Sequence, residues 1–255
     1  MKKLRKLLRQ NNPDAKSHFV VLNEQKILYG RVPKVANSSI KETLARFLTC
    51  EVDPTMRKTQ DRFWRKGTSG QARMVTKAEA LKLNESYFSF SFVRNPFDRV
   101  VSCYNNKIIA NAKLSPAMQK MKLSRGMQFD EFVKVVVATP DAKLDVHLLP
   151  QTTILTLDGK LVPKFVGRLE NMKEDWDALA ALMESEGFPM LGKLPSKNVR
   201  RTETDDVPNF FNSAELVDLI RERYRGDIET FYAGVPLEEL IVSRGGKGLS
   251  PILNK

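Results

Sequence analysis

Cysteine and histidine are scarce in this 255-residue chain, with two of each. Cys50 and Cys103 stand too far apart to make a disulfide framework, and no spacing of Cys and His matches a zinc site. A reducing compartment is the default, and histidine chemistry has only His18 and His147 to draw on. No stretch approaches the roughly 20 apolar residues of a membrane-spanning helix, so no transmembrane segment is expected. The opening MKKLRKLLRQ holds five basic residues and no acid, but no apolar core follows, so it is not read as a secretory leader. Leu4, Leu7 and Leu8 at helical spacing allow peripheral membrane contact by residues 1–10. Internal repeats and a clear domain boundary are also missing. One domain over 1–255 is expected, with 1–17 and 243–255 loosely ordered.

What the chain does have is positive charge. At 42% hydrophobic and 28% charged it is ordinary for a globular protein, but its net charge is +12. Such an excess of Lys and Arg suits a polyanionic partner: a nucleotide, a nucleic acid, an acidic glycan or an anionic membrane.

The strongest periodicities give strands and helices in alternation. FVVL (19–22) and KILYGRV (26–32) are β-rich and closely spaced, which predicts a hairpin. Ile40, Leu44, Phe47 and Leu48 then recur at helical spacing, with Ser38 or Ser39 as the cap. Residues 51–75 are polar and poorly periodic, and RKGTSGQAR within them is expected as a loop. Thr76 and Glu79 form a capping box for a helix to Leu83. SYFSFSFV (86–93) is the strongest strand, and Val100, Val101, Tyr104 and Ile108 resume helical spacing after it. A further amphipathic helix is predicted over 129–138. TILTL and KFVG are expected as strands about the turn DGK. Helices follow at 172–187 and from Asn212 or Ser213. Two strand–loop–helix units predict an α/β fold with a parallel sheet and ligands at the carboxyl ends of the strands.

The two loops carry the chemistry. In YGRVPKVANSSIKETL, backbone N–H groups at the mouth of a helix and the side chains of Lys34, Ser38 and Ser39 suit an anion. The nucleotide-hydrolase pattern G-x-x-x-x-G-K-[ST] is absent. In FVRNPFDRVVSCY, Arg94 ends the best strand, where a guanidinium can grip a phosphate bidentately. Ser102 lies in the following helix, and Pro96 starts that helix cleanly.

These residues resemble the PAPS-dependent carbohydrate sulfotransferases, most closely the Golgi group of HNK-1 and chondroitin/dermatan 4-O-sulfotransferases. VPKVANSSIK is similar to that group's 5′-phosphosulfate loop V-P-K-V-A-C-T-N-W-K. FVRNPFDRVVSCY nearly matches its 3′-phosphate motif F-V-R-N-P-F-E-R-L-V-S-A-Y. DVHLLPQ, FVGRLENMKEDW and YRGDIETFYAG echo later family segments. The resemblance runs from about Lys26 to Gly234. Asn37, Ser38, Ser39 and Ile40 depart from the group's C-T-N-W, and its disulfide cysteines and membrane anchor are not seen. A cytoplasmic, microbial version is therefore expected rather than one in the Golgi lumen.

The resemblance implies a P-loop-like three-layer fold with a central parallel sheet flanked by helices. It implies PAPS as donor, PAP as product, a carbohydrate hydroxyl, acidic glycans included, as acceptor, and no metal. It gives Lys34 the charge on the leaving oxygen and places Val35, Ala36, Asn37, Ser38 and Ser39 on the phosphosulfate. Arg94 and Ser102 take the 3′-phosphate. His147 is the candidate base, with Glu170 second, and Arg168 is one mate for Glu170 in a structural alternative. Lys197, Arg200 and Arg201 are candidates to close over the donor or bind an acidic acceptor. Acceptor contacts are expected within 51–75, 113–128 and 194–208. Two alternatives stay open: a kinase-like phosphotransferase, and a non-catalytic polyanion binder. No nucleic-acid motif is present, so a nucleic-acid partner is not expected.

Overall fold

The segment FSFSFV is buried along its whole length in the computed structural model of the protein. Alternating Phe and Ser would suit a sheet with one wet face. Here both faces are covered, and the serines are satisfied internally. Ser91 donates to the Gly30 carbonyl at 2.7 Å, and Ser89 accepts from the Lys164 amide at 2.9 Å. The structure describes residues 14, 16–110, 113–195, 207–242 and 248–254. The basic opening 1–10, Lys197, Arg200 and Arg201 lie outside them.

In chain order the first elements are β1 (Phe19–Leu22), β2 (Ile27–Gly30), α1 (Asn37–Leu44), α2 (Asp61–Lys66), β3 (Ala72–Val75), α3 (Lys77–Leu83) and β4 (Phe88–Val93). Next come α4 (Pro96–Tyr104), α5 (Pro116–Lys120), α6 (Phe129–Ala138), α7 (Gln151–Leu155), β5 (Thr156–Leu157), β6 (Lys160–Leu161), β7 (Phe165–Arg168) and α8 (Met172–Ser185). The chain continues with α9 (Val207–Phe210), α10 (Ala214–Arg223), α11 (Arg225–Phe231), α12 (Leu237–Ile241) and β8 (Ile252–Leu253).

Within the span expected as one domain, the chain forms two compact units. The first holds residues 14–93, 154–195 and 250–254 of those described, and with them the main sheet. Its strand order is β3-β1-β2-β4-β7-β8. The centre is parallel, β2 with β4 and β4 with β7, and the outer pairings are antiparallel. This is the expected α/β class, a central sheet flanked by helices. The carboxyl ends of β2, β4 and β7 share one edge. On the phenylalanine face, Phe90 and Phe92 pack on Trp176 of α8, with centroids 6.4 and 5.8 Å apart. Gly167 lies beside Phe92 in the ladder, where an added Cβ would come within 2.4 Å of that ring. Only a glycine lets the ring lie there.

Several expectations are corrected in this unit. RKGTSGQAR is not all loop: α2 ends in its first two residues, and Ala72 and Arg73 begin β3. TILTL is mostly the end of α7, with only Thr156–Leu157 in a small hairpin. The tail is not loose throughout, because Ile252–Leu253 pairs with β7 as an edge strand. The capping box holds as expected, with the Thr76 side chain accepting from the Glu79 amide.

The second unit holds residues 94–153, except 111–112, together with 207–242 and 248–249 of those described. It is helical, and its core is aromatic. Tyr104 packs against Phe129, Phe132 and Phe210, and Phe97 meets Phe211 edge to face at 5.0 Å.

Candidate active site

The Lys34 loop is built by strand β2 turning directly into α1. Lys34 and Ala36 both hold positive φ, at 70° and 43°. Non-glycine residues avoid this region, and its cost of about 1–3 kcal/mol per residue collects at functional sites. Alternating left-handed residues turn successive N–H groups toward one side, which makes an anion-binding concavity. The expected caps Ser38 and Ser39 are corrected. The helix starts at Asn37, Ala36 is the N-cap, and no side chain of that residue caps it. Ser38 and Ser39 instead occupy the first helical turn, beside the amide groups an anion would meet. Tyr29, buried in the sheet, donates to Asn37 Oδ1 at 3.3 Å and ties the loop to β2.

Below this loop lies a buried charge cluster. Lys41 is fully buried, and burial lowers its ammonium to about 8 although Asp61, bonded at 2.6 Å, opposes that shift. Arg31 also pairs with Asp61, at 3.0 Å. His18 is buried opposite Arg31, whose amide donates to the His18 carbonyl at 2.9 Å. Burial first, then Arg31, Lys16 and Lys77, push the His18 imidazole down to about 3. That makes His18 a poor proton acceptor.

The second unit carries Arg94, Ser102 and His147. Asn95 caps α4, accepting from the Phe97 amide at 3.0 Å and donating to the Leu240 carbonyl at 2.6 Å. The Arg94 main chain is held by Gln151, which accepts from its N–H at 2.9 Å and donates to its carbonyl at 2.8 Å. Gln151 is itself fixed by Asp227, whose carboxylate accepts from the amides of Gln151 and Thr152 and from the Thr152 hydroxyl, each at 2.8 Å. Burial pushes the Asp227 carboxyl up, while Arg99 and these donors oppose it. Ser102 lies half-buried in α4.

The same unit pins the segment DVHLLPQ. Arg99 donates to the Leu149 carbonyl at 2.9 Å, and Tyr224 to the Leu148 carbonyl at 2.7 Å. Asp145 Oδ1 accepts from the His147 amide at 2.9 Å and lies 2.7 Å from its Nδ1. Ser115 donates to the other carboxylate oxygen. Burial alone would raise the Asp145 carboxyl, but these hydrogen bonds overcome it and hold it at about 2. An ionised carboxylate only accepts, so it is Nδ1 that donates in this pair. The His147 side chain is 29% exposed, enough to be reached.

Glu170 lies in a short 3-10 turn (Leu169–Asn171) after β7, in the unit of the Lys34 loop. Arg168, its proposed mate, is buried and donates to the Ser250 carbonyl at 2.7 Å. Its amide donates to Asp175 at 2.6 Å. Sequence reasoning missed Asp145, Gln151, Asp227 and Arg99 as supports, although each stands inside a quoted segment. Among the described residues, no group of three or more His, Cys, Asp or Glu side chains is placed to hold a metal ion. No described helix is long and apolar enough to cross a membrane.

Comparison with known proteins places these residues in context. The sequence model of the Sulfotransferase family matches residues 17–233. Carbohydrate sulfotransferase 10 of Gallus gallus is 24% identical over 264 residues, covering 90% of this chain and 71% of its own. Its Homo sapiens counterpart is 24% identical over 240 residues, covering 83% and 65%. Carbohydrate sulfotransferase 11 of Rattus norvegicus is 25% identical over 251 residues, covering 88% and 69%. The chain thus spans about two thirds of these relatives' length. No solved structure matches it. The expectation of a cytoplasmic protein is overturned. The relatives are carbohydrate sulfotransferases, the group that the motifs tie to the Golgi. A low cysteine count and the composition of the opening residues were too little to set a compartment.

Proposed function

The chain belongs to the sulfotransferase family, and from that premise we propose that it moves a sulfuryl group from PAPS to a hydroxyl of a carbohydrate acceptor. The observation that carries this reading is the Lys34 loop: two left-handed residues, a cation and a helix N-terminus without an N-cap side-chain bond, directly after a central strand. That arrangement suits the 5′-phosphosulfate. Arg94, on a main chain locked by Gln151, and Ser102 suit the 3′-phosphate, which distinguishes PAPS from a plain adenylate.

Sulfuryl transfer, like phosphoryl transfer, depends on in-line positioning and neutralisation of charge on the leaving oxygen. The acceptor oxygen attacks sulfur and forms the new O–S bond. The S–O bond to the 5′-phosphate breaks, and its electron pair leaves with PAP. Lys34 stabilises that developing charge. His147 Nε2 takes the acceptor proton, and Asp145 holds the ring tautomer and steadies the imidazolium that forms.

Adding PAPS, ATP and heparin separately and following the melting temperature tests the class. Stabilisation by PAPS and PAP above ATP is expected. Stabilisation by ATP above PAP would favour a phosphotransferase, and by heparin alone a polyanion binder.

A further inference from the structure

The carboxylate of Asp61 reaches both stems of the Lys34 loop. Arg31 follows β2 directly on the way into the loop, and Lys41 stands in α1 on the way out. Asp61 Oδ2 lies 3.0 Å from Arg31 Nη2, and Oδ1 accepts from Lys41 Nζ at 2.6 Å. Lys41 also donates to the Thr59 carbonyl at 3.3 Å, just before α2. Arg31 Nε is buried without a hydrogen-bond partner among the described residues, so Asp61 is what orients that guanidinium. Burial would raise the Asp61 carboxyl, but Arg31 and Lys41 together hold it below the ordinary range. One ionised group thus serves two buried donors.

Helix α2 gives this carboxylate a firm base. Phe63 and Trp64 are fully buried and meet edge to face at 5.3 Å. The Trp64 indole donates to the Lys58 carbonyl at 2.7 Å. Thr68, just after the helix, donates to the Ala72 carbonyl at 3.0 Å and ties α2 to β3. The loop needs such a support. Lys34 and Ala36 hold positive φ, and residues kept there persist only where their surroundings over-determine them. Burying an ion pair is a weak means of stabilising a fold, because desolvation consumes much of the attraction. What it fixes here is geometry: the end of β2, the body of α1 and the start of α2 meet on one side chain.

We propose that Asp61 is a positioning residue for sulfuryl transfer. It clamps the two stems of the Lys34 loop and so holds the loop amides where the donor's 5′-phosphosulfate meets them, an inference that rests on the transferase reading above. The sign of one effect separates the clamp from a simple charge effect. Asp61→Asn removes a negative charge beside an anion site, which by charge alone leaves anion binding as tight or tighter. Loss of a clamp loosens the loop and weakens that binding instead.

The test is calorimetry on the full chain with PAP and with adenosine 3′-phosphate, which lacks the 5′ group, joined to amide hydrogen exchange. Asp61→Asn is expected to bind PAP about tenfold more weakly and adenosine 3′-phosphate as wild type does. Amide exchange over 35–40 is expected to rise about tenfold, with β4 unchanged. Lys41→Met removes one stem's tie together with its buried charge, and is expected to give the same exchange pattern should Asp61→Asn not fold. PAP binding unchanged or tighter, an equal loss for both nucleotides, or exchange raised equally in β4 would overturn the proposal. Faster exchange confined to the loop, in a chain whose wild type binds neither PAP nor PAPS, would uphold the clamp and overturn the transferase reading. PAP binding and sulfate transfer that Asp61→Asn leaves untouched would overturn the clamp alone.

Discussion

Gln151 holds the main chain of Arg94 in both directions, accepting from its N–H and donating to its carbonyl. The two residues are 57 apart in sequence. The guanidinium proposed to read the 3′-phosphate therefore stands on a peptide fixed by a buried amide, which is fixed in turn by Asp227. Arg94→Ala should weaken PAP binding by about tenfold or more while leaving AMP binding nearly unchanged. Gln151→Glu keeps one acceptor but loses the donor, and should weaken PAP in the same selective way to a smaller degree. Calorimetry with PAP and AMP checks both. Equal losses for the two nucleotides would show that neither residue serves the 3′-phosphate.

The Asp145–His147 pair separates a positioning role from a structural one. His147→Ala should cut turnover by about 10²-fold or more and leave PAP affinity intact. It should also abolish the acid limb of the pH–rate profile. Asp145→Asn should lower turnover less and move that limb to lower pH, because the carboxylate no longer favours the imidazolium. A profile unmoved by either change would point to Glu170 as the next residue to test.

Asp145 also predicts how stability falls in acid. Its folded pKa is depressed to about 2 from 3.8. The stabilisation is therefore fully present above the unfolded value and is lost as pH falls from about 4 toward 2. At one pKa unit per 1.36 kcal/mol, the loss is about 2 kcal/mol. Denaturant titrations of wild type and Asp145→Asn at neutral and acid pH measure it. The variant should be less stable at neutral pH, and the gap should close in acid.

Strand β4 and helices α6 and α8 were legible because period-2 and period-3.6 patterns survive burial. Strand β3 was not, since half-buried Arg73 and Met74 pair with distant β1 and leave no local alternation. The cap of α1 was misread for a related reason. Ser38 and Ser39 have the right chemistry for a cap, but a left-handed Ala36 imposed by the loop takes the position. Lys34, Arg94 and Ser102 could be singled out because each sits in a contiguous motif. The supports could not: Asp145 needs Ser115, and Gln151 needs both Arg94 and Asp227. Such partnerships exist only once the chain has folded.

Gly167→Ala tests the sheet itself. Its Cβ would meet the Phe92 ring, which Trp176 and Phe165 hold from other sides. Overpacking of this kind costs about 1–3 kcal/mol. A drop of that size in a denaturant melt is expected. No loss of stability would mean the ring moves aside freely.

The most direct test of the account is transfer itself. Sulfur-labelled PAPS is incubated with the protein and a panel of neutral and acidic oligosaccharides, and label on the sugar is counted for wild type and Lys34→Ala. The account predicts labelled carbohydrate and equimolar PAP with wild type. It also predicts that Lys34→Ala lowers turnover far more than PAPS affinity, because its charge acts chiefly in the transition state. If no carbohydrate in the panel gains label while PAPS binds normally, the assignment of a sugar acceptor is contradicted. If Lys34→Ala raises only the Michaelis constant, Lys34 binds the donor and does not stabilise the leaving oxygen.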